Sequence, residues 1–125
     1  MYATPDHFSG YAKALPIVTT NQDRWKREFL AAASKIEAAR GKSGNPGALY
    51  RAVADNQSLW TRFANQAIAP GSKMDRTTKS QILSLLSFVI SHSSKVMADG
   101  ATPQPLVNIA VSLARATQVQ KDLAA

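Results

Sequence analysis

The chain has 125 residues and a mass of 13.4 kDa, which fits a single domain over residues 1–125 with a self-sufficient core. Its composition, 45% hydrophobic and 18% charged, is globular and excludes wholesale disorder. The absence of cysteine excludes disulfides, thiolate nucleophiles, Cys-ligated zinc and iron–sulfur clusters.

Fifteen basic against eight acidic residues give a formal charge of +7, and the whole excess falls between Arg24 and Lys79. Such a surface favours an acidic or polyanionic partner. The longest greasy stretch, Ile82 to Ile90, is interrupted by Ser84 and Ser87 and is too short to span a membrane. The opening residues carry no basic region followed by an apolar one, so no signal peptide is expected and the expected location is the cytoplasm.

Five helical segments are predicted, in chain order. Thr4-Pro5-Asp6 offers a cap followed by proline at the first helical position, and Phe8, Tyr11, Ala12 and Leu15 follow at helical spacing up to Pro16. The β-branched run Ile17 to Thr20 reads as a linker. A second helix starts near Thr20, with Trp25, Phe29, Ala32, Ile36 and Ala39 stepping by 4, 3, 4 and 3 along one face. Gly41 ends it, and Lys42 to Gly47 is a loop.

Asn45-Pro46 opens the third helix, whose line is Leu49, Val53, Asn56, Trp60, Phe63 and Ala67. Ala69-Pro70-Gly71-Ser72 closes it. Asp75 caps a fourth helix in which Ile82, Leu83, Leu85, Leu86, Phe88, Val89 and Ile90 cover nearly every side. A helix of that kind is expected at the centre of the fold or under a cover. Asp99-Gly100 ends it, and Thr102-Pro103 starts a fifth helix with Leu106, Ile109, Ala110, Leu113, Ala116 and Thr117 on its apolar face and Val107, Val111 and Val119 off it. No hairpin signal or internal repeat occurs. The expected fold is all-α, a small bundle of four to five helices.

Catalytic chemistry is poorly provided for. The histidines, His7 and His92, have no acidic residue at metal-binding helical spacing, and no phosphate-binding glycine loop is present. Ser84, Ser87, Ser91, Ser93 and Ser94 lack a general base or a nucleophile elbow, and read as small residues on a crowded helix. No enzyme activity, cofactor or metal is expected. Nucleic-acid binding pairs cations with exposed aromatics, but Trp25, Phe29, Trp60 and Phe63 all fall on apolar lines. Their ordinary place is the core, and the cations beside them belong to a solvated face. Asn56 is the one amide on a greasy seam. It either fixes helix register while hydrogen-bonded, or it bonds the backbone of an incoming segment.

The run Asp55-Asn56-Gln57-Ser58-Leu59-Trp60-Thr61-Arg62-Phe63 carries an N-x-x-L-W-x-x-F pattern that resembles the FlaF flagellar biosynthesis regulator family. The likeness extends through the early tyrosines Tyr2 and Tyr11, the helix from Arg27 to Arg40, the apolar run Ile82 to Val89, and Leu106 to Leu113. It implies a small, cytoplasmic, non-enzymatic protein that promotes flagellin production. The implied partners are flagellin, held in a secretion-chaperone-like way, and a FlbT-like regulator. Direct binding of flagellin mRNA is the alternative, and an adaptor bridging another flagellar regulator is a third reading. Asn56, Leu59, Trp60 and Phe63 are the candidate partner-binding or motif residues, either facing a groove or forming the core. Arg24, Lys26 and Arg27, the one tight basic cluster, are candidates for steering an acidic partner.

Overall fold

The computed structural model describes residues 22–41 and 45–124. Four helices account for nearly all of them: α1 (Gln22–Arg40), α2 (Pro46–Ile68), α3 (Arg76–Asp99) and α4 (Gln104–Ala124). Among the described residues there is no strand. The segment predicted around Phe8 to Leu15, its linker, and the Thr20 start of the second helix lie outside the described residues.

Local chemistry sets the helix boundaries. The Asn45 side chain accepts a hydrogen bond from the Ala48 N–H at 3.3 Å, and Pro46 occupies the first turn where its missing N–H is harmless. Asp75 does the same for α3, accepting from the Thr78 N–H at 2.7 Å. That bond, together with the Thr78 hydroxyl, holds the Asp75 carboxyl below its ordinary pKa of 3.8. Gly100 ends α3 in the left-handed region at φ 71°, a conformation that glycine adopts without a Cβ penalty. Thr102 then caps α4 by accepting from the Gln104 N–H at 3.2 Å.

The helices run up and down around one core. Arg40, at the end of α1, hydrogen-bonds to Gln104 at the start of α4. Arg62, late in α2, reaches Glu28, early in α1. In sequence around the ring, α1 packs on α2, α2 on α3, and α4 back on α1. The fourth seam, between α3 and α4, is sparse; beside their connecting turn His92 Nε2 donates to the Thr102 carbonyl at 2.7 Å.

Four aromatic rings from α1 and α2 form the centre. Trp25 meets Phe63 at 5.1 Å between centroids, and Phe29 meets Trp60 at 5.0 Å and Phe63 at 5.4 Å, all edge to face. Each such contact adds roughly 0.5–1.5 kcal/mol beyond the burial of its area. Ile36, Val53, Ile82, Leu85, Val89, Leu106, Ile109 and Leu113 extend the core to all four helices.

Two sequence readings are sharpened. Of the two places open to α3, the centre is excluded, because a ring of four helices has no central member; the helix has a buried edge and a bare one. Val107 is buried in the core although it sits at the edge of the apolar line of α4. The helix carries a wide apolar arc there, since it faces the well-packed α1.

Candidate functional site

The N-x-x-L-W-x-x-F residues all lie inside the bundle. Leu59, Trp60 and Phe63 are buried, and Asn56 is 0% exposed. They share one face of α2 because steps of three and four residues return to nearly the same azimuth. Arranged this way they hold α1 and α3 onto α2 and offer no surface to a partner. Neither Asn56 Oδ1 nor Nδ2 has a hydrogen-bond partner, and nor does Trp60 Nε1. Ser93 Oγ, on α3, is also buried and unpartnered. The interior is thus polar on the α2 and α3 helices without being satisfied there, which costs stability.

The basic cluster is placed differently. Arg24 is exposed and paired with Glu28 at 3.1 Å, and Arg62 approaches the same carboxylate at 3.4 Å. Both arginines line a shallow cleft of about 280 Å³ with Trp25, Asn65 and Gln66. Arg27 is exposed and Lys26 half-buried. The rings of Trp25, Phe29, Trp60 and Phe63 are sealed in the core, so none of the four is a surface stacking platform. Among the described residues no cluster of His, Asp and Glu converges as a metal site would require. None of their helices is long and apolar enough to cross a membrane.

The surface feature that stands out is apolar. Among the described residues six large hydrophobic side chains are exposed: Leu30, Tyr50, Ile68, Leu83, Ile90 and Met97. Five of them border the seam between α2 and α3. The flank of α2 that faces α1 is marked by Arg62, which reaches Glu28, and by Ala48, Ala52 and Asp55, which line a cleft with Lys35, Ala38 and Ala39. Tyr50 and Ile68 are five full turns apart, share one azimuth, and lie on the opposite flank. On α3 the side toward α4 is marked by His92, bonded to Thr102, with Phe88 stacked on it at 5.5 Å. Leu83, Ile90 and Met97, spaced by sevens, lie away from that side, with half-buried Leu86 beside them.

Because α2 and α3 are antiparallel, Ile68 sits level with the start of α3 and Tyr50 level with its end. The apolar strip along this seam therefore runs for roughly 20 Å from Leu83 to Met97. No Lys, Arg, Asp or Glu occurs from Ser80 through Ser94. That charge-free run is the sequence signal for the strip. Hydropathy alone assigns it to the interior, because an all-round apolar helix carries no mark of which side its neighbours leave bare.

The family described as "Flagellar protein FlaF" matches this chain over residues 7–116. No curated protein matches, and no solved structure does. The matched span takes in all of α1, α2 and α3, the orphaned Asn56, and the first half of α4. The chain belongs to the FlaF family of flagellar proteins.

Proposed function

We propose that this FlaF-family chain is a binding module and not an enzyme, and that it captures flagellin in the cytoplasm through the groove between α2 and α3. The observation that supports the reading is the row of exposed Tyr50, Ile68, Leu83, Ile90 and Met97 along the α2–α3 seam, beside a stretch of α3 free of charge from Ser80 to Ser94. A soluble monomer rarely leaves large apolar side chains aligned over several turns unless something docks there. An amphipathic helix laid into such a groove buries its own apolar face at matching spacing. Flagellin held before assembly must keep amphipathic segments covered, and this groove has the length and character to cover one. The basic residues Lys73, Arg76 and Lys79 crowd the α2–α3 turn at one end, and would speed encounter with an acidic segment.

The sealed position of Trp60 removes the motif itself from the contact surface and gives it the task of holding α2 in place. The test uses the α2 wall of the groove. Tyr50→Ser with Ile68→Ser removes two exposed rims, so the fold should survive, as read by helical circular dichroism and thermal melting. Flagellin retained by the wild-type chain in a pull-down should be lost by this variant. Full retention by the folded double variant would refute the groove as the binding surface.

A further inference from the structure

The outermost line of α3 has a pattern of its own. Ser80, Leu83, Ser87, Ile90, Ser94 and Met97 follow one another in steps of three and four, and all six are exposed. Large and small residues alternate along it without exception. If a second α3 is laid antiparallel, with the two-fold axis passing between Phe88 and Val89, Leu83 falls opposite Ser94, Ile90 opposite Ser87, and Met97 opposite Ser80. Every large side chain then meets a serine of the other copy, and the arrangement is its own complement, as a two-fold interface demands. Small residues at the facing positions let the backbones approach while the large ones fill the space between.

Charge supports the same antiparallel register. Along the facing segment from Ser80 to Met97 the one ionic residue is Lys95, which lies seven residues past Phe88, on the α4 side and off the facing line. Outside it, Arg76 and Lys79 at the start of one α3 come level with the last turn of the other. That turn carries Asp99 and the negative end of the helix dipole. Neither Arg76, Lys79 nor Asp99 forms an ion pair among the described residues. A parallel pairing would instead put basic against basic at one end.

We infer that a second copy of this chain covers the α3 crest, forming a two-fold dimer through antiparallel α3 helices. The inference goes beyond flagellin capture and stands without it. Leu83, Ile90 and Met97 serve both the crest and the α2–α3 groove, so a second copy and a partner helix compete for them.

Sedimentation of the full chain over a concentration series tests the dimer, with no partner present. The wild type should be dimeric at roughly 100 µM and dissociate on dilution. Ile90→Glu, an exposed position, should remain helical and weaken association at least roughly 100-fold by forcing a charge into the seam. Ser87→Trp should weaken it as well, since the tryptophan takes the space that Ile90 of the second copy fills. The chain has no cysteine of its own, so Ser87→Cys should give a covalent dimer with a short bifunctional thiol reagent, whereas exposed Ser58→Cys on α2 should not.

A chain that stays monomeric throughout the series overturns the inference. A dimer that survives both Ile90→Glu and Ser87→Trp also overturns it, because the copies would then meet elsewhere. A monomeric Ser87→Cys variant whose introduced thiol is shielded from a thiol reagent would show that residues 1–21 of the chain cover the crest, and would equally overturn it. None of these readings depends on flagellin, whose loss is reported by the Tyr50 and Ile68 substitutions on the other wall.

Discussion

Phe29 of α1 and Trp60 of α2 meet edge to face, with centroids 5.0 Å apart and ring planes at 66°. Both side chains are fully enclosed, and Phe63 closes the cluster at 5.4 Å from Phe29 and 6.3 Å from Trp60. The motif tryptophan is therefore the keystone of the α1–α2 seam. Truncating it leaves a cavity that neighbouring helices can only partly fill. Trp60→Ala should lower stability by about 3–5 kcal/mol, read from urea denaturation with unchanged slope. A loss below about 1 kcal/mol would show the ring to be far less tightly packed than the centroid distances imply.

One turn before Trp60, Asn56 is enclosed with neither amide atom engaged. A buried amide without a partner forfeits its hydration and regains nothing. Asn56→Leu keeps nearly the same volume and removes the orphan, so stability should rise by about 1–3 kcal/mol. The same denaturation experiment reads it. A fall in stability would mean that the amide is in fact bonded, for which an ordered water bridging to Ser93 or Trp60 is the simplest carrier.

The sequence discloses those parts of the fold that are written locally. Asn45-Pro46, Asp75, Asp99-Gly100 and Thr102-Pro103 each specify a boundary through their own backbone and side-chain chemistry, and each boundary falls where that chemistry puts it. The line Trp25, Phe29, Ile36 and the line Val53, Asn56, Trp60, Phe63 are equally readable, because helical periodicity ranks faces within one helix. What periodicity does not encode is which neighbour a face meets. For α3, apolar on nearly every side, the buried edge through Ile82, Leu85 and Val89 and the bare edge through Leu83, Ile90 and Met97 look alike in sequence. The structure separates them because the first edge packs into the shared core, and among the described residues nothing covers the second. Asn56 shows the same limit. Its burial follows from spacing, but its lack of a partner depends on residues of other helices.

Gly100 gives a prediction of backbone origin alone. It holds φ at 71°, and a Cβ built there would meet nothing within 4 Å. Any effect of Gly100→Ala must therefore come from the left-handed conformation and not from crowding. The substitution should cost about 1 kcal/mol, and the melting point is the direct readout. An unchanged melting point would mean that the end of α3 can shift to an ordinary helical φ while keeping the Ala101 N–H bond to the Lys95 carbonyl, 3.2 Å in this structure.

Asp75 links stability to pH. Its carboxylate accepts the Thr78 N–H at 2.7 Å, and this bond, followed by the Thr78 hydroxyl, lowers its pKa from the ordinary 3.8. A lowered folded-state pKa means that the unfolded chain takes up the proton first as the solution is acidified. The cap's contribution is therefore fully present above about pH 4 to 5, and is lost as pH falls through the folded-state value. Asp75→Asn retains an acceptor for the N–H while removing the charge, so at neutral pH its melting point should lie below wild type by what the charge contributes. As pH falls through the folded-state pKa, which lies below the ordinary 3.8, the two curves should converge, because the wild-type side chain is then protonated too. Asp75→Ala loses the acceptor altogether and should melt lower than either at neutral pH. Thermal melts of the three proteins at pH 7 and across the acid range measure the difference directly. If wild type and Asp75→Asn kept a constant gap from neutral pH into strong acid, the carboxylate would have no part in capping α3.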